Sequence, residues 1–269
     1  MPTPLAPRRF ERYVAIGDSS TEGLDDPDGQ GGYRGWANRL AEMIAAAQGP
    51  LHYANLAVRG RKTRRIREEQ LDRAVAMRPD LVTLFSGTND VVRPRFDVHA
   101  FVEDVAAIHQ AVIGAGATLL TFTLPDLAPV LPLARPIASR IHRMNDAVRR
   151  VAAASGAILV DLARYPMASD PRIWSPDRLH ANAEGHRRIA AALAQALGLP
   201  GTDDGWSHPL PPAPHRSRRQ QVAAEVHWGR RYFAPWVWRH LRGRSSGDGR
   251  APKRPELVIF GVSPTEGVP

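Results

Sequence analysis

The sequence predicts an α/β fold: five parallel strands in one three-layer domain. Two observations carry this. Short apolar runs alternate with longer segments of helical periodicity through the first 200 of the 269 residues. Several of the runs are nearly continuous in Val, Ile, Leu or Phe, as strands buried on both faces require. Alternation of this kind implies right-handed crossovers, and so a parallel sheet with helices on both faces.

The elements follow in order. Residues 13–16, Tyr-Val-Ala-Ile, form a first strand that runs into Gly17-Asp18-Ser19-Ser20. A helix is expected over 35–47, a second strand over 52–56 and a second helix over 64–77. The third strand, 81–85, is the Leu-Val-Thr-Leu-Phe run. A helix over 98–114, a strand over 118–123, a helix over 135–154 and a strand over 158–161 continue the pattern, and a helix over 183–197 closes it. In such sheets ligands bind beyond the carboxyl ends of the strands, so functional residues are expected just after strands.

After residue 197 the character changes. Residues 198–214 are rich in Gly, Pro and Asp and read as a linker. Residues 216–241 are basic and aromatic. Within them Val222, Val226, Phe233 and Val237 keep an approximate helical period until Pro235 interrupts it. Residues 243–255 read as disordered, and 257–262 as a short apolar run. We therefore expect a domain over 1–200 and a C-terminal extension over 201–269 holding a linker, a helix and partly disordered chain. A basic, aromatic helix could lie on a membrane surface or pack its aromatics on the domain or a second subunit. The composition leaves the oligomeric state open.

Composition narrows the chemistry. There are no cysteines, which excludes disulfides, thiolate zinc sites and cysteine nucleophiles. The formal net charge is +9. Residues 1–200 carry 25 basic and 21 acidic side chains, and residues 201–269 carry 11 and 6, so the tail is the more basic part. Only Lys62 and Lys253 are lysines. That arginine bias, with the abundant alanine, fits GC-rich coding better than phosphate recognition, and no nucleic-acid partner is expected. No run approaches the roughly 18 apolar residues of a membrane span, nor does the amino terminus carry a signal-like segment. A cytoplasmic location is the expectation.

The strand-end rule selects a coherent set. Ser19 follows the first strand, Asn55 to Gly60 the second, Ser86 to Asp90 the third, and Ser175 to His180 the fifth. A serine hydroxyl is a weak nucleophile that needs a base beside it. His180 can take its proton, and Asp177, three residues earlier, can hold the imidazole tautomer. The oxyanion of a tetrahedral intermediate needs preorganised donors. The amides of Ser19 and Gly60 and the side chain of Asn89 are candidates. Each residue alone has a plainer explanation: a turn Asn, a turn Asp, a loop Gly, or a His ahead of a helix capped by Asn182. Jointly those explanations are improbable.

These blocks resemble the SGNH hydrolase family, the GDSL-type lipases and esterases. The resemblance is carried by Gly17-Asp18-Ser19, Asn55 with Gly60, Gly87-Thr88-Asn89-Asp90, and Asp177 with His180, and covers about residues 12–197. It implies a flavodoxin-like α/β/α sandwich and cofactor-free ester hydrolysis or acyl transfer on a small-molecule or lipid-like ester. It also implies Ser19 as nucleophile, Gly60 and Asn89 as oxyanion donors, and His180 as base. The first block departs at Ser20, where the family often has leucine. A catalytically idle binding protein on the same fold is the alternative.

Four further features have less to say. Asp18 is expected to be structural, and His186 a surface or packing residue. Residues 25–28 (Asp-Asp-Pro-Asp) lack the spacing of a calcium loop and read as a solvated, mobile loop near the site. The run Arg59, Arg61, Lys62, Arg64 and Arg65 is either a solvated loop and helix start or an attractor of anionic substrates.

Overall fold

A computed structural model describes residues 9–92, 95–212, 217–235, 238 and 246–261. Its strands are β1 (Arg12–Gly17), β2 (Leu51–Asn55), β3 (Leu81–Phe85), β4 (Thr118–Phe122), β5 (Ile158–Val160) and β6 (Arg254–Phe260). They form one sheet of order β5-β4-β3-β1-β2-β6. The first five strands are parallel neighbours in the doubly wound order of flavodoxin-like sheets. Each expected strand is present within one residue at either end.

The five-stranded, all-parallel sheet needs one correction. β6 joins the edge of β2 antiparallel, with Leu51 opposite Phe260 and Tyr53 opposite Val258. The sheet is mixed and has six strands. An antiparallel edge strand needs no crossover helix and so left no helical signal before it. Lys253 and Arg254 are also placed, contrary to the disorder expected through 255. The Lys253 Nζ donates to the Tyr33 and Arg34 carbonyls at 2.9 Å each. Ser246 to Arg250 form a turn closed by Arg250 N on the Gly247 carbonyl. The segment 201–269 is thus no mere appendage, because its end completes the sheet.

Side chains of β1 alternate between two cores, as the pleat dictates. Tyr13 and Ala15 join a core with Trp36, Leu40, Met144 and Leu193, under α2 (Gly35–Gln48), α7 (Ala138–Ser155) and α8 (Ala183–Ala196). Val14 and Ile16 join Ile66, Ala74, Ile108 and Val112 on the opposite face. That face is covered by α3 (Thr63–Ile66), α4 (Asp72–Ala76) and α6 (Val98–Gly114). The helix expected over 64–77 is therefore not one regular helix. A π-helical turn, Arg67–Leu71, separates α3 from α4. Helix starts follow capping chemistry: Asp97 accepts from the amides of His99 and Ala100, and Asn182 from that of Gly185.

The tail helix is α9 (Arg218–Trp228), opened by a Ser217–Gln220 capping box. Its expected apolar stripe does not face the protein: Val222 and Val226 are 62% and 49% exposed. Val237 lies outside the described residues. Trp228 instead is buried against the domain. Among the described residues no helix is long and apolar enough to cross a membrane.

β6 adds an aromatic contact to the sheet edge. Phe260 meets Tyr53 edge to face at 5.4 Å, and Tyr53 stacks on Tyr13 at 4.9 Å. Phe260 is half-buried. Phe260→Ala is expected to lower the unfolding free energy by about 2 kcal/mol, less than a fully buried Phe would lose, as read by chemical denaturation. A loss below about 0.5 kcal/mol would show that β6 does not stabilise the sheet.

Candidate active site

β1 delivers the serine. The strand ends at Gly17, and Asp18 caps the one-turn helix α1 (Ser19–Glu22) by accepting from Ser20 N at 3.0 Å. Gly17 is enclosed: a Cβ there would stand 2.2 Å from Thr21 Oγ1 and 2.6 Å from the Phe85 carbonyl oxygen. One side chain grips both of its backbone polar groups. Gln70 Oε1 accepts from Gly17 N at 2.8 Å, and Gln70 Nε2 donates to the Gly17 carbonyl at 2.9 Å. Gln70 belongs to the π-helical turn, a device that recurs at functional sites.

The candidate base, His180, comes from the loop between β5 and α8. That loop is closed on itself by a bridge between Trp174 and Ala181 and by Ser175 N on the His180 carbonyl. His180 Nδ1 lies 2.6 Å from Asp177 Oδ2, and Nε2 lies 2.8 Å from Ser19 Oγ. With Nδ1–H given to Asp177, Nε2 is left to accept from the serine hydroxyl. The other Asp177 oxygen, Oδ1, accepts from Leu179 N, His180 N and Ser175 Oγ. The structure thus brings Ser19, His180 and Asp177 into one hydrogen-bonded chain.

Electrostatics separate the site's carboxyls. Burial pushes Asp177 up, but the His180 and Ser175 hydrogen bonds and the His180 charge outweigh it and hold it at about 2. Asp18 is fully buried, and that burial raises it to about 7 despite hydrogen bonds from Ser20 N and Asn89. For His180 burial opposes the charged form, yet Asp177, Asp25 and Asp18 together raise it above its ordinary value.

The proposed oxyanion donors lie on the same pocket as Ser19. Ser19 N is the first amide of α1 and so has no intrahelical acceptor. Gly60 stands at a φ of 76°, a left-handed conformation that glycine adopts without strain. Asn89 is in the short helix α5 (Thr88–Val91), and its Nδ2 donates to Asp18 Oδ2 at 3.0 Å and to the Arg61 carbonyl at 3.1 Å. Asn55 works behind the wall. Its Nδ2 donates to the Thr21 carbonyl at 2.8 Å, and its Oδ1 accepts from Ala57 N at 3.1 Å, tying α1 to the β2 turn. Asp90 accepts from Thr63 N and Oγ1, joining α5 to α3.

Several neighbours depart from the sequence reading. Asp18, read chiefly as structural, both caps α1 and touches Asn89 in the pocket. Arg59 is buried in an ion pair with Glu22, while Arg61 pairs with Glu69, Arg64 with Asp104, and Arg65 with Glu68 and Glu69. Lys62, Arg64 and Arg65 remain exposed, as a solvated loop and helix start would be, and Arg59 alone of the run is buried. His186 is fully buried, accepting from Trp36 N at 3.1 Å and donating to the Leu24 carbonyl at 2.9 Å. It is a packing residue, not a surface one. Within 25–28, Asp25, Pro27 and Asp28 are exposed, as a solvated loop would be, but Asp26 is buried, holding Arg39 and Gly35 N. Beside it Asp25 turns toward His180, a placement that no spacing signals.

The tail contributes to the site. Trp228 Nε1 donates to the Asp177 carbonyl at 3.1 Å, and Arg178 lies over its ring while pairing with Glu225. The cavity encloses about 310 Å³. Beyond Ser19 its walls are mainly apolar, with Phe85, Phe122, Leu162, Met167, Trp206 and Trp228.

Gln70→Ala would leave the Gly17 amide without its buried partner and the Gly17 carbonyl with the longer, 3.4 Å hydrogen bond from Val58 N. The expected cost is about 2–4 kcal/mol of stability, with a drop in kcat exceeding any rise in KM, because the serine turn loosens. Unchanged kcat in a folded variant would remove Gln70 from this role.

The chain matches the GDSL-like lipase/acylhydrolase family over residues 15–188. No curated protein matches it in sequence. Solved structures of similar fold include an α/β hydrolase enzyme from the metagenome of Lake Arreo, Spain. It is 23% identical at a TM-score of 0.60, covering 70% of this chain and 95% of that one. An acetylxylan esterase from Geobacillus stearothermophilus is 17% identical at 0.60, over 74% and 96% of the two chains. A GDSL-like lipase from Parabacteroides merdae, described as putative, is 19% identical at 0.60, over 72% and 98%. Those chains are spanned almost end to end by about three-quarters of this one. The family match takes in well over half of the chain and all of Ser19, Gly60, Asn89, Asp177 and His180. The chain therefore belongs to the GDSL-like lipase/acylhydrolase family and is a carboxylic ester hydrolase of the SGNH type.

Proposed function

We propose that the protein cleaves esters with an apolar acyl group larger than acetyl, through an acyl-enzyme at Ser19. The observation that carries this is the chain from Ser19 Oγ through His180 to Asp177, opening directly into a largely apolar cavity. As Ser19 Oγ bonds to the acyl carbon, its proton passes to His180 Nε2, and the imidazolium is stabilised by Asp177. The oxyanion is held by Ser19 N, Gly60 N and an Asn89 Nδ2 hydrogen turned from its present acceptor. Collapse breaks the ester C–O bond, and His180 gives its proton to the departing alcohol. Water, deprotonated by His180, then attacks the acyl carbon. Hydrolysis releases the acid and restores the Ser19 hydroxyl.

The acetylxylan esterases of similar fold act on acetyl groups by name. The cavity here is at the lower end of volumes that hold small-molecule ligands, and an acetyl methyl would leave most of it unfilled. Aromatic and aliphatic walls reward burial of further methylenes, each worth about 0.8 kcal/mol, or about fourfold.

Ser19→Ala is expected to lose stoichiometric labelling by a fluorophosphonate probe and at least about 10³-fold in kcat. Labelling that survived this change would refute the nucleophile. Across p-nitrophenyl esters, kcat/KM is expected to climb from acetyl over the next few methylenes at up to about fourfold each. A maximum at acetyl would overturn the substrate class.

A further inference from the structure

Two carboxylates, not one, face the imidazole. Asp25 Oδ2 lies 3.8 Å from His180 Nδ1, on the side where Asp177 Oδ2 lies at 2.6 Å. Ser175 joins the two acids. Its Oγ is 2.6 Å from Asp25 Oδ2 and 2.6 Å from Asp177 Oδ1. A hydroxyl carries one proton, so it can donate to only one of these acids. Two negative charges meet around that one proton, and a positive charge on His180 is what best relieves them. In the catalytic cycle His180, neutral when the serine attacks, acquires that charge as the tetrahedral intermediate forms. An interaction stronger in that state than in the ground state accelerates the reaction.

The chain holds Asp25 there deliberately. Its φ is 66°, a left-handed conformation uncommon for residues other than glycine. The next residue, Asp26, is anchored by Arg39 and by the amide of Gly35. Asp25 also borders the cavity beside Ser19.

We propose that Asp25 is a positioning residue for ester cleavage, a second carboxylate that, through Ser175 and across His180 Nδ1, supports the imidazolium. This rests on the Ser19–His180–Asp177 reading above. Other ionisable groups act on His180 too: Asp18 at the start of α1, and His186 on α8. Arg178, in the same loop, is paired with Glu225 of α9.

The test is the pH dependence of kcat/KM for p-nitrophenyl butyrate, followed by pH-stat from about pH 5 to about pH 9. The His180 imidazole is titrated in parallel by NMR, which separates it from Asp18. Asp25→Asn removes the charge while keeping a residue tolerant of the left-handed conformation. The sign is fixed: losing a negative neighbour makes the imidazolium less favourable, so its pKa falls. The acid limb and the NMR titration should both move down by about 0.5–1 unit, and the plateau should fall about three- to tenfold. Asp25→Glu keeps the charge and should hold the wild-type limb. An Asp25→Asn profile that superimposes on wild type would overturn the proposal. So would a lower plateau with an unmoved limb, or a Glu variant that shifts as far as the Asn variant. Ser19→Ala in the same assay should be inactive. If it kept hydrolysing, the nucleophile reading would fall, and the role of Asp25 with it.

Discussion

The contact between Ser19 Oγ and His180 Nε2 joins residues 161 positions apart, and the rest of the fold serves to keep it short. Its two ends have different supports. Ser19 rides on β1, the strand with hydrogen-bonded neighbours from β2 and β3 on its two sides. Gln70 holds the last residue of that strand, and Asn55 holds the turn beyond it. His180 rides on an irregular loop, held by a bridge across its neck and by Asp177 within it. The parallel part of the sheet makes the meeting possible, because β1 to β5 all release their chains at one edge.

The same chemical group takes different charge states within a few ångströms. Asp177 accepts four hydrogen bonds and stays ionised well below neutrality. Asp18 is more deeply buried, with fewer donors, and its affinity for a proton rises to near neutral pH. Environment, not residue type, sets these roles. His180 integrates them, since each carboxylate near it makes its positive form more favourable. Asn89, the proposed oxyanion donor, is tied to the same system through Asp18.

Legibility differed between elements for physical reasons. β3 and α6 have their observed bounds in the sequence itself, because each is a regular run with clean limits: Asp97 caps the 17-residue α6, and the Leu-Val-Thr-Leu-Phe run is apolar but for one residue and buried throughout. The segment through Gln70 reads as a plain helix, since a π-helical turn barely disturbs helical periodicity. β6 was visible only as an apolar run, because nothing local says which edge a terminal strand will join. The sequence leaves the basic, aromatic tail either on a membrane surface or packed through its aromatics; α9 is attached through Trp228 and an arginine–glutamate pair, with Val222 and Val226 exposed. A single large aromatic can anchor a helix whose apolar stripe is turned to solvent.

By itself the sequence determined the alternating α/β architecture, the family, and which side chains stand at the strand ends. Those features are local: periodicity, composition and short spaced motifs encode them. Tertiary structure alone decided the placements that depend on meetings between distant segments. It set the exposed Asp25 beside His180, and gave Arg59 to Glu22 rather than to solvent. It also set Trp228 of the tail against the carbonyl of Asp177. Such contacts are fixed by loop conformation and packing, and neither leaves a periodic trace along the chain.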